Sequence, residues 1–134
     1  MDYISFADMG RTVVSKLYKI PQDIDLIVGI PRSGLLAGNI IALSLNLPII
    51  DIDGFIYNRR LRHGFTRKTK TYISLPHEAK HILIVDDTID TGKTMDRVKM
   101  RLKNSLINQQ ISFCSVYAEQ KSIKKIDIFL EKLS

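Results

Sequence analysis

The stretch that decides the fold spans residues 81–95 and reads HILIVDDTIDTGKTM. Its first part, His81 to Val85, is an almost continuous apolar run, which is typical of a strand covered on both faces of a sheet. Two adjacent carboxylates, Asp86 and Asp87, follow directly, and a short loop then leads into a helical pattern that begins at Met95. We therefore expect a buried strand that delivers polar groups to a loop at a helix N-terminus.

The loop from Asp90 to Thr94 has the chemistry of a phosphate site. A helix N-terminus presents unpaired backbone N–H groups to an anion, and threonine hydroxyls can add to them. Gly92 allows a backbone geometry that a side chain would obstruct. Carboxylates beside a phosphate would repel it unless they bind something else, so Asp86 and Asp87 indicate sugar hydroxyls or a hard cation such as Mg²⁺.

Two other loops that bind phosphate or metal are excluded by spacing. The Gly-Lys-Thr run at 92–94 ends like a P-loop, but that motif needs a glycine five residues before position 92, where this chain has Asp87. A calcium loop that starts at Asp86 would need glycine and glutamate where the chain has Thr91 and Arg97.

The rest of the chain alternates between apolar runs and helical periodicities. Further strands are predicted at 24–30, 48–53, 72–75, 111–118 and 126–130, and helices at 5–17, 34–45 and 95–107. The first helix is expected to be capped by Ser5 and to bury Phe6, Met9, Val13 and Leu17, and the last helix to bury Met95, Val98, Leu102 and Leu106. This alternation predicts an α/β fold with a mainly parallel central sheet flanked by helices, in which ligands bind at the carboxyl ends of the strands.

Length and composition fit one domain over residues 1–134. The chain is 45% hydrophobic, which is too apolar for a disordered protein, and no apolar run is long enough for a membrane span. The single Cys114 excludes an internal disulfide or a cysteine metal site and is expected to be buried on a strand. The start of the chain shows no basic region followed by an apolar block, so a cytoplasmic protein is expected.

The net charge of +6 comes from one segment, residues 59–70. That segment contains no acid and six cations, and the remaining chain has 14 basic and 14 acidic residues. The six are Arg59, Arg60, Arg62, Arg67, Lys68 and Lys70. Such a patch attracts nucleic acid, phosphorylated metabolites or pyrophosphate, and the alternative is a solvated loop without a ligand.

A second loop with anion-binding chemistry follows the first predicted strand. It reads Pro31-Arg32-Ser33-Gly34 and opens a helix, so it combines small residues and a helix N-terminus with an arginine. The same residues would also serve a tight turn. Asp51 and Asp53 have the spacing of a metal-binding pair, but we interpret them as polar residues at a strand exit before a turn at Gly54.

Residues 81–95 resemble the phosphoribosyl-diphosphate (PRPP) binding motif of type I phosphoribosyltransferases, and the tail IDTGKTM is most similar to the hypoxanthine-guanine branch of that family. The resemblance implies that Asp86 and Asp87 hold the ribose hydroxyls, directly or through Mg²⁺. It implies that Asp90, Thr91, Gly92, Lys93 and Thr94 cradle the 5′-phosphate. Asp90 would also be the catalytic general base near the acceptor.

The resemblance extends to the other two segments. Pro31, Arg32, Ser33 and Gly34 would bind pyrophosphate, with Pro31–Arg32 as the counterpart of a strained peptide bond found in the family. The six cations of residues 59–70 would belong to a flexible loop that closes over PRPP. The family also implies a homodimer.

The implied function is transfer of the 5-phosphoribosyl group from PRPP to an acceptor with release of pyrophosphate, as in purine salvage and nucleotide metabolism. Family enzymes recognise the acceptor with a hood outside the core sheet, and this chain has room only for a reduced hood. A purine-type nucleobase is the expected acceptor, with Phe129 or Tyr57 as candidate stacking residues. The alternative is a PRPP-sensing regulator that binds RNA through its basic segment without catalysis.

Overall fold

The computed structural model describes residues 5–64 and 68–133, and its centre is a sheet of five parallel strands. The strands are β1 (Leu26–Gly29), β2 (Ile49–Asp51), β3 (His81–Ile89), β4 (Gln110–Glu119) and β5 (Ile128–Leu133). The α-helices are α1 (Phe6–Ser15), α2 (Ser33–Leu45), α3 (Ile52–Ile56) and α4 (Lys93–Asn104). Short 3₁₀ helices occupy Leu17–Lys19, Pro76–Glu78 and Gln120–Lys125. The predicted α/β fold with a parallel sheet flanked by helices is confirmed.

Both faces of the sheet are covered, which explains the continuous apolar strands. In β3, Leu83 and Val85 join the core under α1 and α2, whereas Ile82 and Ile84 join the core under α3 and α4. All four are fully buried, as the two-residue period of a strand requires when each face packs against helices. Cys114 is buried on β4, as predicted.

The strand order β2-β1-β3-β4-β5 positions the site. The chain moves from β1 to β2 in one direction and then places β3 on the other side of β1. The carboxyl ends of β1 and β3 therefore flank the topological switch point, where open parallel sheets bind ligands. Because β1 ends opposite Val85 while β3 continues to Ile89, the last residues of β3 extend beyond β1 and leave a crevice.

Two predictions, for residues 72–75 and for Phe6, are wrong. Residues 72–75 form no strand: Ile73 and Ser74 accept single hydrogen bonds from His63 and Leu61, which do not make a ladder. Phe6 is 60% exposed, because α1 turns only Met9 and Val13 inward. The predicted cap is present, since the Ser5 hydroxyl accepts from the Asp8 N–H at 3.0 Å.

The C-terminal end of the last helix also differs from the prediction. Helix α4 ends at Asn104, and Leu106 adopts a φ of +56°. This left-handed residue takes the chain out of the helical path, so Leu106 is 87% exposed. No helix among the described residues is long and apolar enough to cross a membrane.

Candidate active site

The two predicted loops meet at the switch point between β1 and β3. The Ile30 N–H donates to the Val85 carbonyl at 2.9 Å, which joins the end of β1 to the end of β3. A Cβ at Gly34 would lie 2.6 Å from the Val85 oxygen and 3.1 Å from Oδ1 of Asp86. Only glycine fits that approach, so the 31–34 loop is held directly against the acidic pair.

The acidic pair occupies the first residues of β3 beyond β1. Asp86 and Asp87 are half-buried, and the Asp87 N–H donates to Oδ1 of Asp86 at 2.8 Å. Burial, together with the neighbouring Asp87 side chain, raises the pKa of Asp86 from 3.8 to about 7. A carboxylate held in this way gains stability from a cation or a hydroxyl donor that binds to it.

The donor set at this position fits Mg²⁺ when the substrate supplies further oxygens. Mg²⁺ is commonly bound through one or two carboxylates, with phosphate oxygens and waters completing the octahedron. Asp86 and Asp87 provide the carboxylates. No cluster of three or more metal-ligating side chains exists among residues 5–64 and 68–133, so a cation here would depend on substrate oxygens.

The loop after β3 forms a small depression at the N-terminus of α4. Its volume is about 130 Å³, and it is lined by Asp86 and residues 88–95. Gly92 has a φ of +82° and immediately precedes the first helical residue, Lys93. The left-handed turn at Gly92 is what lets the chain pass from strand to helix within a few residues. The predicted phosphate residues therefore share one concave surface beside the acidic pair.

The Asp90 side chain lies at the rim of this depression and is paired with a lysine that the sequence analysis missed. Lys121 Nζ lies 3.1 Å from Oδ1 of Asp90 and 3.5 Å from Oε2 of Glu119. Asp90, and to a lesser degree Glu119, raises the pKa of Lys121. The sequence did indicate this position, because Glu119 and Lys121 follow the strand predicted at 111–118. Groups that bind ligands gather at the carboxyl ends of strands in a parallel sheet.

The 31–34 loop joins the end of β1 to the start of α2. Pro31, Arg32 and Ser33 are exposed, the peptide bond between Pro31 and Arg32 is cis, and α2 starts at Ser33. The first-turn N–H groups of α2 have no carbonyl partner within the helix. Arg32 directly precedes them at the N-cap position.

The basic segment is divided between the two ends of the sheet. Arg59, Arg60 and Arg62 line a depression of about 490 Å³ at the carboxyl end of β2. Lys68 and Lys70 lie at the opposite, amino end: Asn46 Nδ2 donates to the Lys68 carbonyl at 2.9 Å, and Lys70 Nζ donates to the Gln22 carbonyl at 3.4 Å. Arg67 lies outside the described residues. The described conformation thus brings three of the six predicted cations to the site edge.

The remaining candidates have structural partners. Asp51 caps α3 by accepting from the Gly54 N–H at 2.7 Å, and Asp53 pairs with Arg101 at 2.7 Å, so the expected turn is a short helix. Phe129 lies on β5 with Lys19 Nζ 4.9 Å from its ring centre. Tyr57 is exposed, with the Arg59 guanidinium 5.4 Å from its ring centre.

Comparison with known sequences identifies the family of the chain. The family model for the phosphoribosyl transferase domain matches residues 5–132. A xanthine-guanine phosphoribosyltransferase of Chromohalobacter salexigens is 26% identical over 98% of this chain and 76% of its own length. A xanthine-guanine phosphoribosyltransferase of Idiomarina loihiensis is 24% identical and an orotate phosphoribosyltransferase of Saccharolobus solfataricus is 30% identical. The chain spans only 63% and 48% of the length of these last two relatives.

Solved structures share the fold. The xanthine-guanine-hypoxanthine phosphoribosyltransferase of Helicobacter pylori aligns with a TM-score of 0.69 at 18% identity, over 97% of this chain and 85% of that one. A purine phosphoribosyltransferase of Pyrococcus horikoshii aligns with a TM-score of 0.65 at 19% identity, over 98% and 87% of the two chains. Since the family model covers nearly the whole sequence and the fold agrees, the chain belongs to the phosphoribosyl transferase domain family.

Proposed function

We propose that the protein is a phosphoribosyltransferase that uses PRPP and Mg²⁺ to transfer the 5-phosphoribosyl group to an acceptor and releases pyrophosphate. The observation that carries this proposal is the contact between the two loops at the switch point. The Gly34 Cα lies against Val85 and Asp86, so a diphosphate on the 31–34 loop, a ribose on the acidic pair and a 5′-phosphate on the 90–94 loop can belong to one molecule.

Each group has a distinct role in the proposed reaction. The acceptor attacks C1 of PRPP, the bond from C1 to the diphosphate oxygen breaks, and negative charge builds on the leaving pyrophosphate. The first-turn N–H groups of α2 and the Arg32 guanidinium stabilise that charge. Bound Mg²⁺ would supply further charge neutralisation at Asp86 and Asp87. Arg59, Arg60 and Arg62 line the neighbouring depression together with Leu35 of α2, and their proposed role is to extend the cationic wall around the diphosphate.

Asp90 is the proposed general base for the acceptor. Its carboxylate is at the rim of the phosphate depression, where it can reach a nucleobase bound over C1. The Lys121 ammonium lies 3.1 Å from Oδ1 of Asp90, so this ion pair holds the carboxylate at the rim. When the acceptor N–H approaches, Asp90 takes its proton as the new bond to C1 forms.

A purine-type nucleobase is the proposed acceptor. The IDTGKTM loop and the names of the relatives from Chromohalobacter salexigens and Helicobacter pylori support this choice. The relative from Saccharolobus solfataricus is named for orotate, so pyrimidines form the competing class. Between β4 and β5 the chain forms only the short 3₁₀ helix Gln120–Lys125 and two further residues, which fits a reduced hood.

The test is a screen of purine and pyrimidine bases with PRPP and Mg²⁺ that measures pyrophosphate release. We expect release that requires both Mg²⁺ and one base, and that is abolished in Asp87→Asn. Absence of release with every base, together with RNA binding that weakens steeply with salt, would favour the regulator over the enzyme.

We propose further that the protein forms a homodimer through α1 and α2. An apolar depression of about 680 Å³ lies between these helices and includes Phe6, Val14 and Ile40. Phe6 and Val14 are each 60% exposed, and exposed apolar patches commonly mark protein interfaces. Sedimentation equilibrium should show a dimer for the wild type and a monomer for Val14→Glu. A monomeric wild type would contradict the proposal.

A further inference from the structure

The loop formed by residues 90–94, here called the phosphate loop, is hydrogen-bonded to the 3₁₀ helix Gln120–Lys125, which lies about 30 residues further along the chain. The Ser122 hydroxyl donates to the Asp90 carbonyl, and Ser122 is only 2% exposed. Lys125 Nζ donates to the Thr91 carbonyl at 3.1 Å and to Oδ2 of Asp96 at 2.8 Å. Two consecutive peptide groups of the loop are therefore anchored to one segment.

These two hydrogen bonds fix the direction of the next two N–H groups. A trans peptide is planar, with its N–H pointing opposite to its C=O. The Asp90 carbonyl points toward Ser122, so the N–H of Thr91 points away from the 3₁₀ helix. The Thr91 carbonyl points toward Lys125, so the N–H of Gly92 also points away from the 3₁₀ helix.

The depression at the N-terminus of α4 lies on the side of the loop that faces away from the 3₁₀ helix. It is lined by Asp86 and residues 88–95, and no residue of the 3₁₀ helix lines it. Among residues 5–64 and 68–133, none accepts a hydrogen bond from the N–H of Thr91 or Gly92. Two adjacent donors thus remain available on the ligand side.

The Lys125 side chain also fills the space behind the turn. A Cβ at Gly92 would lie 2.2 Å from Cδ of Lys125. The aliphatic part of the lysine therefore packs on the Gly92 backbone, while its ammonium is occupied by Thr91 and Asp96. Lys125 supports the loop by contact and does not line the depression.

We propose that Ser122 and Lys125 are positioning residues that pre-orient the N–H groups of Thr91 and Gly92 toward the 5′-phosphate of the substrate. This inference rests on the proposed function, because it takes PRPP as the ligand. Donors held in place before binding need no reorganisation when the anion arrives, which strengthens binding. The segment after β4 therefore shapes the phosphate site.

The experiment compares Ser122→Ala and Lys125→Met with Lys124→Met, which removes the same charge from an exposed neighbour. Calorimetric titration with PRPP and Mg²⁺ should show affinity about three- to tenfold weaker in each of the first two variants, the usual effect of one lost hydrogen bond. Lys124→Met should stay within about twofold, and Lys125→Arg should recover most of the loss. Affinity for inorganic pyrophosphate, expected at the 31–34 loop, should be unchanged in all four.

Backbone ¹⁵N order parameters of residues 90–94 in the free protein give a second readout that does not depend on PRPP. The order parameters should be lower in Ser122→Ala and Lys125→Met than in the wild type and Lys124→Met. Equal PRPP affinity and equal order parameters in all variants would overturn the inference. If the wild type fails to bind PRPP, the proposed function fails, and unchanged order parameters would then overturn the positioning role as well.

Discussion

Replacing Asp86 by asparagine should stabilise the ligand-free protein, and increasingly so as pH rises. In the folded chain the pKa of Asp86 rises from 3.8 to about 7, chiefly through burial. The difference of about three pH units corresponds to about 4 kcal/mol. Because the side chain keeps some access to water, we expect about 2 kcal/mol. Asparagine keeps the side-chain oxygen that accepts from the Asp87 N–H.

The direction of this pH dependence follows from the linkage between proton binding and folding. Between pH 4 and pH 7 the folded protein holds a proton on Asp86 that the unfolded chain has lost, so the wild-type free energy of unfolding falls as pH rises through this range. Asp86→Asn removes this pH-dependent loss of stability. Its gain in the free energy of unfolding should be at most about 1 kcal/mol at pH 5 and about 2 kcal/mol at pH 8.

Urea denaturation of both proteins at pH 5 and pH 8 measures this gain. Glu131→Gln serves as the control, because Glu131 is an exposed carboxylate on β5 and should change stability by less than about 0.5 kcal/mol. With PRPP and Mg²⁺ present the order should reverse, since asparagine cannot ligate the cation as a carboxylate does. A gain that does not grow from pH 5 to pH 8 would refute the reasoning.

Four further outcomes are expected. Thr91→Glu should abolish the rise in melting temperature that PRPP with Mg²⁺ gives the wild type, because it places a carboxylate in the phosphate depression; an unchanged rise would remove this loop from the site. Asp90→Asn should keep PRPP affinity within a few-fold while turnover falls by about 10²–10⁴, and full turnover would exclude Asp90 as the base. Gly34→Ala should destabilise the fold by about 1–3 kcal/mol in urea denaturation, because its Cβ would lie 2.6 Å from a β3 carbonyl oxygen; an unchanged free energy of unfolding would contradict the close approach of the two loops. Residues 59–62 should exchange amide hydrogens more slowly once pyrophosphate is bound, and equal exchange with and without pyrophosphate would argue against a closing loop.

Local patterns in the sequence were enough to predict the sheet and the two loops. Apolar runs such as ILIV at 82–85 are buried on both faces, and the Asp-Asp pair that follows lies in β3 just beyond the end of β1. These features depend on a few consecutive residues, and the short length and β-branched content of the apolar runs favour strands over helices. The predicted roles of the loop residues remain predictions.

Errors arose where a residue's environment depends on distant parts of the chain. Leu106 continues the helical period of Leu102 but lies past the end of α4. Residues 72–75 are mostly aromatic and aliphatic, as in many strands, yet no strand among residues 5–64 and 68–133 pairs with them. A local sequence pattern shows which secondary structure a segment favours. It does not show whether a neighbouring strand or helix is available to pack against it.

The sequence by itself determined that this chain folds as a parallel α/β sheet, with an acidic pair and two glycine-containing loops at its carboxyl edge. Only the tertiary structure decided how those loops are assembled: that Gly34 contacts Asp86, that the basic segment is divided between two edges, and that Lys121, Ser122 and Lys125 reach the 90–94 loop. The physical reason is that strand order sets these contacts. Strand order results from packing the whole core, which no local sequence pattern encodes.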